Sequence, residues 1–216
     1  MFDNENEDKN KRRWARAMNR ACSGVWGVDK NHLKTFELTT RQGDDQTWAR
    51  MTKDFKNWVR AMRDRGYKFE YIASPEYSPK NHLLHLHGVM RTEQIIPHKV
   101  MSEQWDRIHG APIVYIKKVR SEKGAIRYCV KHMLKEYPEA VGFKGRLLVS
   151  GGWPPKNAGL VRKVLVRWAL ERVDVYGKHY WAVMNDMYKR WCMGEQLLLY
   201  GLAGKKPLVL PGGVRG

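Results

Sequence analysis

Acidic residues are scarce in this chain: 22 Asp and Glu stand against 40 Lys and Arg, a formal charge of +18 over 216 residues. That surplus goes beyond what solubility requires and is the footprint of a polyanionic partner, with nucleic acid ahead of a ribosomal or membrane surface. Cysteine is scarce as well. Cys22, Cys129 and Cys192 are odd in number, far apart and form no Cys-x-x-Cys pair, which argues against a disulfide framework and a cysteine zinc site and for a reducing compartment. No apolar run approaches the ~20 residues of a membrane span. The opening MFDNENEDKNKRRW is charged where a secretory signal is apolar, so a soluble intracellular protein without a membrane partner is expected. Internal repeats and low-complexity linkers are missing too. The length suits one catalytic core with an appendage, not two ordinary enzyme domains.

What is present begins with alternation. Leu33 to Thr40 alternates apolar and polar residues with period two and predicts a strand with one buried face. Asp44 and Asp45 offer caps for a helix through Trp48, Met51, Phe55, Trp58, Val59 and Met62, ending near Gly66. Phe69 to Ala73 reads as a second strand, followed after the turn Ser78-Pro79-Lys80-Asn81 by a third that contains His85-Leu86-His87. A helix from Pro97 to Gly110, a short strand Ile113–Ile116, a helix from Ser121 to Tyr137 ended by Pro138, and a last strand in Arg146–Ser150 complete the order. Up to that last strand this is the split β-α-β-β-α-β-α pattern, predicting an α+β fold: a ferredoxin-like antiparallel sheet of about five strands flanked by helices, with a helical C-terminal extension. The boundaries expected are an arm with a short helix near Trp14–Met18 over 1–32, a core over 33–153, and a basic extension over 154–216. That extension is read as helical from Asn157 to Leu199, with GLAGKKPLVLPGGVRG as loop or tail.

The chemistry centres on His85 and His87. Two imidazoles separated by one residue on a strand point to the same side and can share a metal ion. Two imidazoles leave most of a divalent ion's shell empty, so an acidic ligand is needed; Glu76 on the neighbouring arm is favoured and Glu70 is the alternative. His82 falls on the opposite face unless a bulge intervenes. On the following helix Ile126, Cys129, Val130, Met133 and Leu134 make an apolar stripe, while Tyr128, Lys131, His132 and Lys135 fall on another. Taken singly, these residues also fit a strand with structural imidazoles, an amphipathic packing tyrosine and a solvated basic face. Metal, tyrosine and lysine together point to phosphoryl chemistry on nucleic acid, with Tyr128 able to attack phosphorus and Lys131 to offset charge. Gly204-Lys205 is no phosphate-binding loop, because Leu199 stands where the leading glycine belongs and Lys206 replaces the Ser or Thr.

Three blocks in order, Phe36-Glu37-Leu38-Thr39-Thr40, His85-Leu86-His87-Gly88 and Arg127-Tyr128-Cys129-Val130-Lys131, resemble the motifs of the HUH endonucleases. Within that family the chain is similar to the small rolling-circle replication initiators of plasmids and single-stranded DNA phages, over roughly residues 33 to 153. The resemblance implies His85, His87 and Glu76 as ligands of Mg or Mn, Tyr128 as nucleophile with Lys131 beside it, and a 5′-phosphotyrosine link to DNA with a free 3′-hydroxyl. His132 stands where some relatives carry a second tyrosine, so a single-tyrosine enzyme is implied, and Tyr137 is too far along to replace it. The partners implied are single-stranded DNA at a replication origin, a host helicase and a DNA polymerase, in the cytoplasm of a bacterial host cell. Trp168, Trp181 and Trp191 in the basic extension are candidates for stacking on bases, with packing as the alternative. Rival readings are a single-tyrosine transposase, a relaxase, or a non-catalytic basic module that binds nucleic acid.

Overall fold

The structure, a computed structural model, describes residues 19–41, 47–78, 83–133, 147–172, 177–199 and 207–213. Several expectations lie outside these: the helix near Trp14, the caps Asp44 and Asp45, the turn at 79–82 with His82, the positions of Leu134, Lys135, Tyr137, Pro138 and Arg146, the side chain of Trp181, and Gly204 to Lys206. The chain divides into two compact units, one containing Asp29–Gly151 and the other Cys22–Val28 with Gly152–Gly216.

In the first unit the elements run β1 (Leu33–Thr39), α1 (Trp48–Asp64), β2 (Glu70–Tyr77), β3 (Leu84–Arg91), α2 (His98–His109), β4 (Val114–Lys118), α3 (Glu122–Met133) and β5 (Leu148–Val149). The five strands form one antiparallel sheet in the order β4-β1-β3-β2-β5. The α+β fold read from the sequence is therefore the fold observed, with β3, the histidine strand, at its centre.

One face of this sheet builds the core. Phe36 and Leu38 from β1, Leu84, Leu86 and Met90 from β3, and Ala73 from β2 pack with Phe55, Trp58 and Met62 of α1 and Met101 and Trp105 of α2. Met51, Phe55, Trp58, Val59 and Met62 recur at helical spacing, which makes α1 a helix with one buried stripe. Its N-cap is Thr47, whose hydroxyl accepts from the Arg50 amide at 3.2 Å. Both buried indoles find acceptors: Trp58 Nε1 donates to the Met101 carbonyl at 3.2 Å and Trp105 Nε1 to that of Thr39 at 2.9 Å. Gly110 ends α2 at φ 82°, a left-handed cap that suits glycine.

Gly88 has a different task. It pairs with Phe36 across the β1–β3 ladder, and a Cβ on it would stand 2.2 Å from the Phe36 ring. Phe36 is wedged against Phe55 and Trp58, with ring centroids 6.1 and 6.5 Å away, so the glycine after the histidine pair is a packing requirement.

The opposite face carries Glu37 of β1, His85, His87 and Val89 of β3, and Ile72, Ser74 and Glu76 of β2, because strand residues alternate sides. Helix α3 packs across β1, β2 and β3 there.

The second unit holds α4 (Ala158–Leu170), a short turn of 3-10 helix (Gly177–His179), α5 (Tyr180–Cys192), β6 (Leu197–Leu199) and β7 (Leu208–Leu210). Here the sequence reading needs correction. Leu197–Leu199 is a strand rather than the end of a helix, and Leu208–Leu210, read as tail, pairs with it antiparallel. Three apolar residues are too few to distinguish the two periodicities, and Gly194 at φ 95° breaks the helix before them. Trp168 and Trp191 are 6% and 2% exposed and lie in this unit's own core with Leu165, Met184, Tyr188 and Leu199. Packing, not base stacking, accounts for both. Cys22, Cys129 and Cys192 are buried, and none is in a disulfide. Among the described residues no helix is long and apolar enough to cross a membrane.

Candidate active site

The cluster on the second face of the sheet follows from strand register. Glu37 is the cross-strand partner of His87, and Glu76 that of His85, so carboxylates on β1 and β2 flank the histidines of β3 from both sides. The closest contacts run diagonally. Oε1 of Glu37 lies 2.6 Å from Nδ1 of His85, and Oε2 of Glu76 lies 3.5 Å from Nε2 of His87. Diagonal neighbours in an antiparallel pair are within reach of long side chains.

From above, α3 contributes two residues one turn apart. The Tyr128 hydroxyl stands 3.1 Å from Nδ1 of His87 and donates to the Phe36 carbonyl at 3.3 Å. His132 places Nδ1 2.7 Å from Oε2 of Glu76, and its ring stacks on His87 with centroids 4.4 Å apart. The helix face turned to the sheet therefore reads Ala125, Tyr128, Cys129 and His132. Tyr128 and His132 thus leave the basic stripe expected of them while Cys129 keeps its place in the apolar one; the side chains of Val130 and Met133 lie outside the described residues. Tyr128 and His132 face inward, whereas Lys131 is exposed. The reason is that the sheet surface beneath is polar at this point, so the inward stripe need not be apolar throughout.

Of the residues predicted for the site, the structure brings together His85, His87, Glu76 and Tyr128, and adds Glu37 and His132. Potential ligand atoms fall into two overlapping trios, Glu37 with His85 and His87, and Glu76 with His87 and His132, each within 4.8 Å. Glu76 and His85 share neither trio. Glu70, the alternative carboxylate, sits at the far end of β2, where Oε1 is 3.7 Å from Nη2 of Arg63. The signal for Glu37 was present in the alternating strand of the first motif, but its approach to His85 depends on which strands pair.

Burial sets the electrostatics. His87 is depressed to a pKa of about 4, first by burial and then by the His132 imidazole. At neutral pH it is therefore uncharged, and its contacts with Glu37 and Glu76 are not ion pairs. A neutral imidazole is the form that binds metal. The hydrogen bond from His85 holds the Glu37 carboxyl below its ordinary range. Burial, and next the charge on Glu37, push the Tyr128 phenol well above its ordinary value, so it keeps its proton at neutral pH unless positive charge is brought in.

The residues fit a divalent cation. His85 Nε2 is buried and has no hydrogen-bond partner, which leaves its lone pair open when Nδ1 carries the proton. Imidazole nitrogens mixed with carboxylate oxygens suit Mn and related ions, and Mg accepts the carboxylate part.

No curated protein and no solved structure matches this chain. The stretch that carries every residue of the cluster, residues 33–137, matches the family model of Replication-associated protein ORF2.

Proposed function

We propose that the protein is a site-specific single-strand DNA endonuclease and strand transferase that initiates rolling-circle replication. The observation that carries this reading is the Tyr128 hydroxyl 3.1 Å from His87, beside a half-buried group of two histidine-strand imidazoles and two carboxylates. The replication-associated family match over the same residues supports it.

In this reading His85, His87 and Glu76 hold Mg or Mn. The bound ion supplies polarisation of the scissile phosphate and positive charge that offsets Glu37 and Glu76. Tyr128 is the nucleophile. In the His87 tautomer whose Nε2 is free, Nδ1–H donates to the Tyr128 oxygen and steadies the charge that develops there. The phenol oxygen bonds to phosphorus as the bond from phosphorus to the 3′ oxygen breaks. The phenol proton leaves to water, and a proton from water completes the 3′-hydroxyl. The product is a 5′-phosphotyrosine and a primer end that a polymerase can extend. Lys131, exposed on the same helix, meets the phosphate backbone and offsets its charge. With no second tyrosine at position 132, release of the strand needs another acceptor.

The test is incubation of the purified protein with a labelled single-stranded library and Mn, followed by denaturing electrophoresis. A covalent protein–DNA adduct is expected that disappears with EDTA and in Tyr128→Phe, while DNA binding persists. Tight binding without an adduct across origin candidates would favour a non-catalytic binding module.

A further inference from the structure

We propose that Glu37 is a positioning residue that decides which nitrogen of His85 faces the cation. The inference rests on the reading of His85, His87 and Glu76 as the cation site.

Nδ1 of His85 lies 2.6 Å from Oε1 of Glu37, a separation at which the imidazole nitrogen carries the proton and donates to the carboxylate. The lone pair is then on Nε2. That nitrogen is buried and has no hydrogen-bond partner. A buried acceptor left without a donor is unfavourable, whereas an acceptor directed at an electron-pair acceptor is not. The order carboxylate, imidazole, open lone pair is the arrangement that fixes ring orientation and tautomer in metal-binding histidines generally and strengthens the ligand.

Glu37 acts on His85 selectively. Its cross-strand partner is His87, yet its Oε2 stays 3.8 Å from His87 Nδ1, beyond hydrogen-bonding distance. Nδ1 of His87 is instead 3.1 Å from the Tyr128 hydroxyl. The two histidines are thus oriented by different partners, His85 by a carboxylate on β1 and His87 by the tyrosine. The position is also well fixed: β1 is paired on both sides, with β3 and β4, so the Glu37 backbone cannot drift. In this assignment Glu37 holds the ligand from behind through Oε1, which accepts the imidazole N–H.

The test uses the full chain and two readouts that do not depend on DNA cleavage. Histidine-labelled protein without metal is examined by ¹⁵N NMR for the tautomer of His85, and Mn affinity is measured by EPR titration for wild type, Glu37→Gln, Glu37→Ala and His85→Ala. The expected result is a proton on Nδ1 of His85 in wild type, a shift toward the other tautomer in Glu37→Ala, and a loss of roughly 10–100-fold in Mn affinity. Glu37→Gln keeps an acceptor oxygen and the side-chain shape, so it is expected to fold normally and lose less affinity than Glu37→Ala. A proton on Nε2 of His85 in wild type would overturn the inference, as would Glu37→Ala binding Mn as tightly as wild type. Unchanged Mn binding in His85→Ala would instead overturn the cation site itself. Weak binding in His85→Ala alongside tight binding in Glu37→Ala would remove only the role of Glu37.

Discussion

Nδ1 of His132 stands 2.7 Å from Oε2 of Glu76, which ties a strand carboxylate to the same helix that carries Tyr128. His132 thereby directs an acidic side chain of the sheet. His132→Ala is expected to remove this hold on Glu76 and lower the rate of adduct formation about 10–100-fold at limiting Mn, the range seen for partners of metal ligands. Raising Mn recovers most of that rate if the role is orientation. A loss that no Mn concentration recovers would place His132 among the groups touching the reacting atoms.

Gly88→Ala is expected to destabilise the first unit, because the added methyl meets the Phe36 ring at 2.2 Å and that ring is held by Phe55 and Trp58. Overpacking of this kind costs about 1–3 kcal/mol. Urea denaturation reads it directly, and a midpoint equal to wild type would show that Phe36 can move aside.

The protein without metal is expected to lose stability as the pH is lowered from neutrality. The unfolded chain binds a proton at His87 near its ordinary value of about 6.5, whereas in the folded state this happens only near about 4. Between those values the unfolded state holds more protons, so acidification favours unfolding. Glu37, whose carboxyl is also depressed, adds the same sign at the acid end. Thermal melts in EDTA at steps between pH 7.5 and 4 are expected to show a falling midpoint, with a shallower fall in His87→Gln. A flat wild-type profile contradicts the burial argument.

Away from the cluster, Oδ2 of Asp54 on α1 accepts from Nδ1 of His109 on α2 at 2.8 Å, with His109 2% exposed and stacked on Trp105. Asp54→Ala leaves that buried N–H without its acceptor, at a cost of about 1–3 kcal/mol. Lower stability is expected with adduct formation unchanged below the melting range; a matching loss of activity would mean that the pair supports the site through the sheet.

Much of this was legible because local chemistry and tertiary structure agree. Leu33–Thr39 alternates, α1 repeats its apolar residues at helical spacing, and the single residue between His85 and His87 fixes both on one face. Glu76 could be named because β2 and β3 are neighbours in sequence and form a hairpin. Glu37 could not, since β1 reaches β3 only through a non-local pairing that local spacing does not encode. The inward turn of His132 was hidden for a related reason. Amphipathicity assigns polar residues to water, and it fails where the surface beneath the helix is itself polar. The β6–β7 pair was missed because Leu197–Leu199 gains its strand identity from Leu208–Leu210 rather than from its own pattern.

The central place of β3 has a consequence for motion. A strand bonded on both sides opens its amides to exchange only when the sheet comes apart, so His85 and His87 are expected on slow-exchanging backbone. Tyr128 and His132 belong to a helix laid on one face. In the proposed reaction the tyrosine would carry the DNA end while the histidines remain in the sheet, which separates the part that would bear a tethered strand from the part that must stay still.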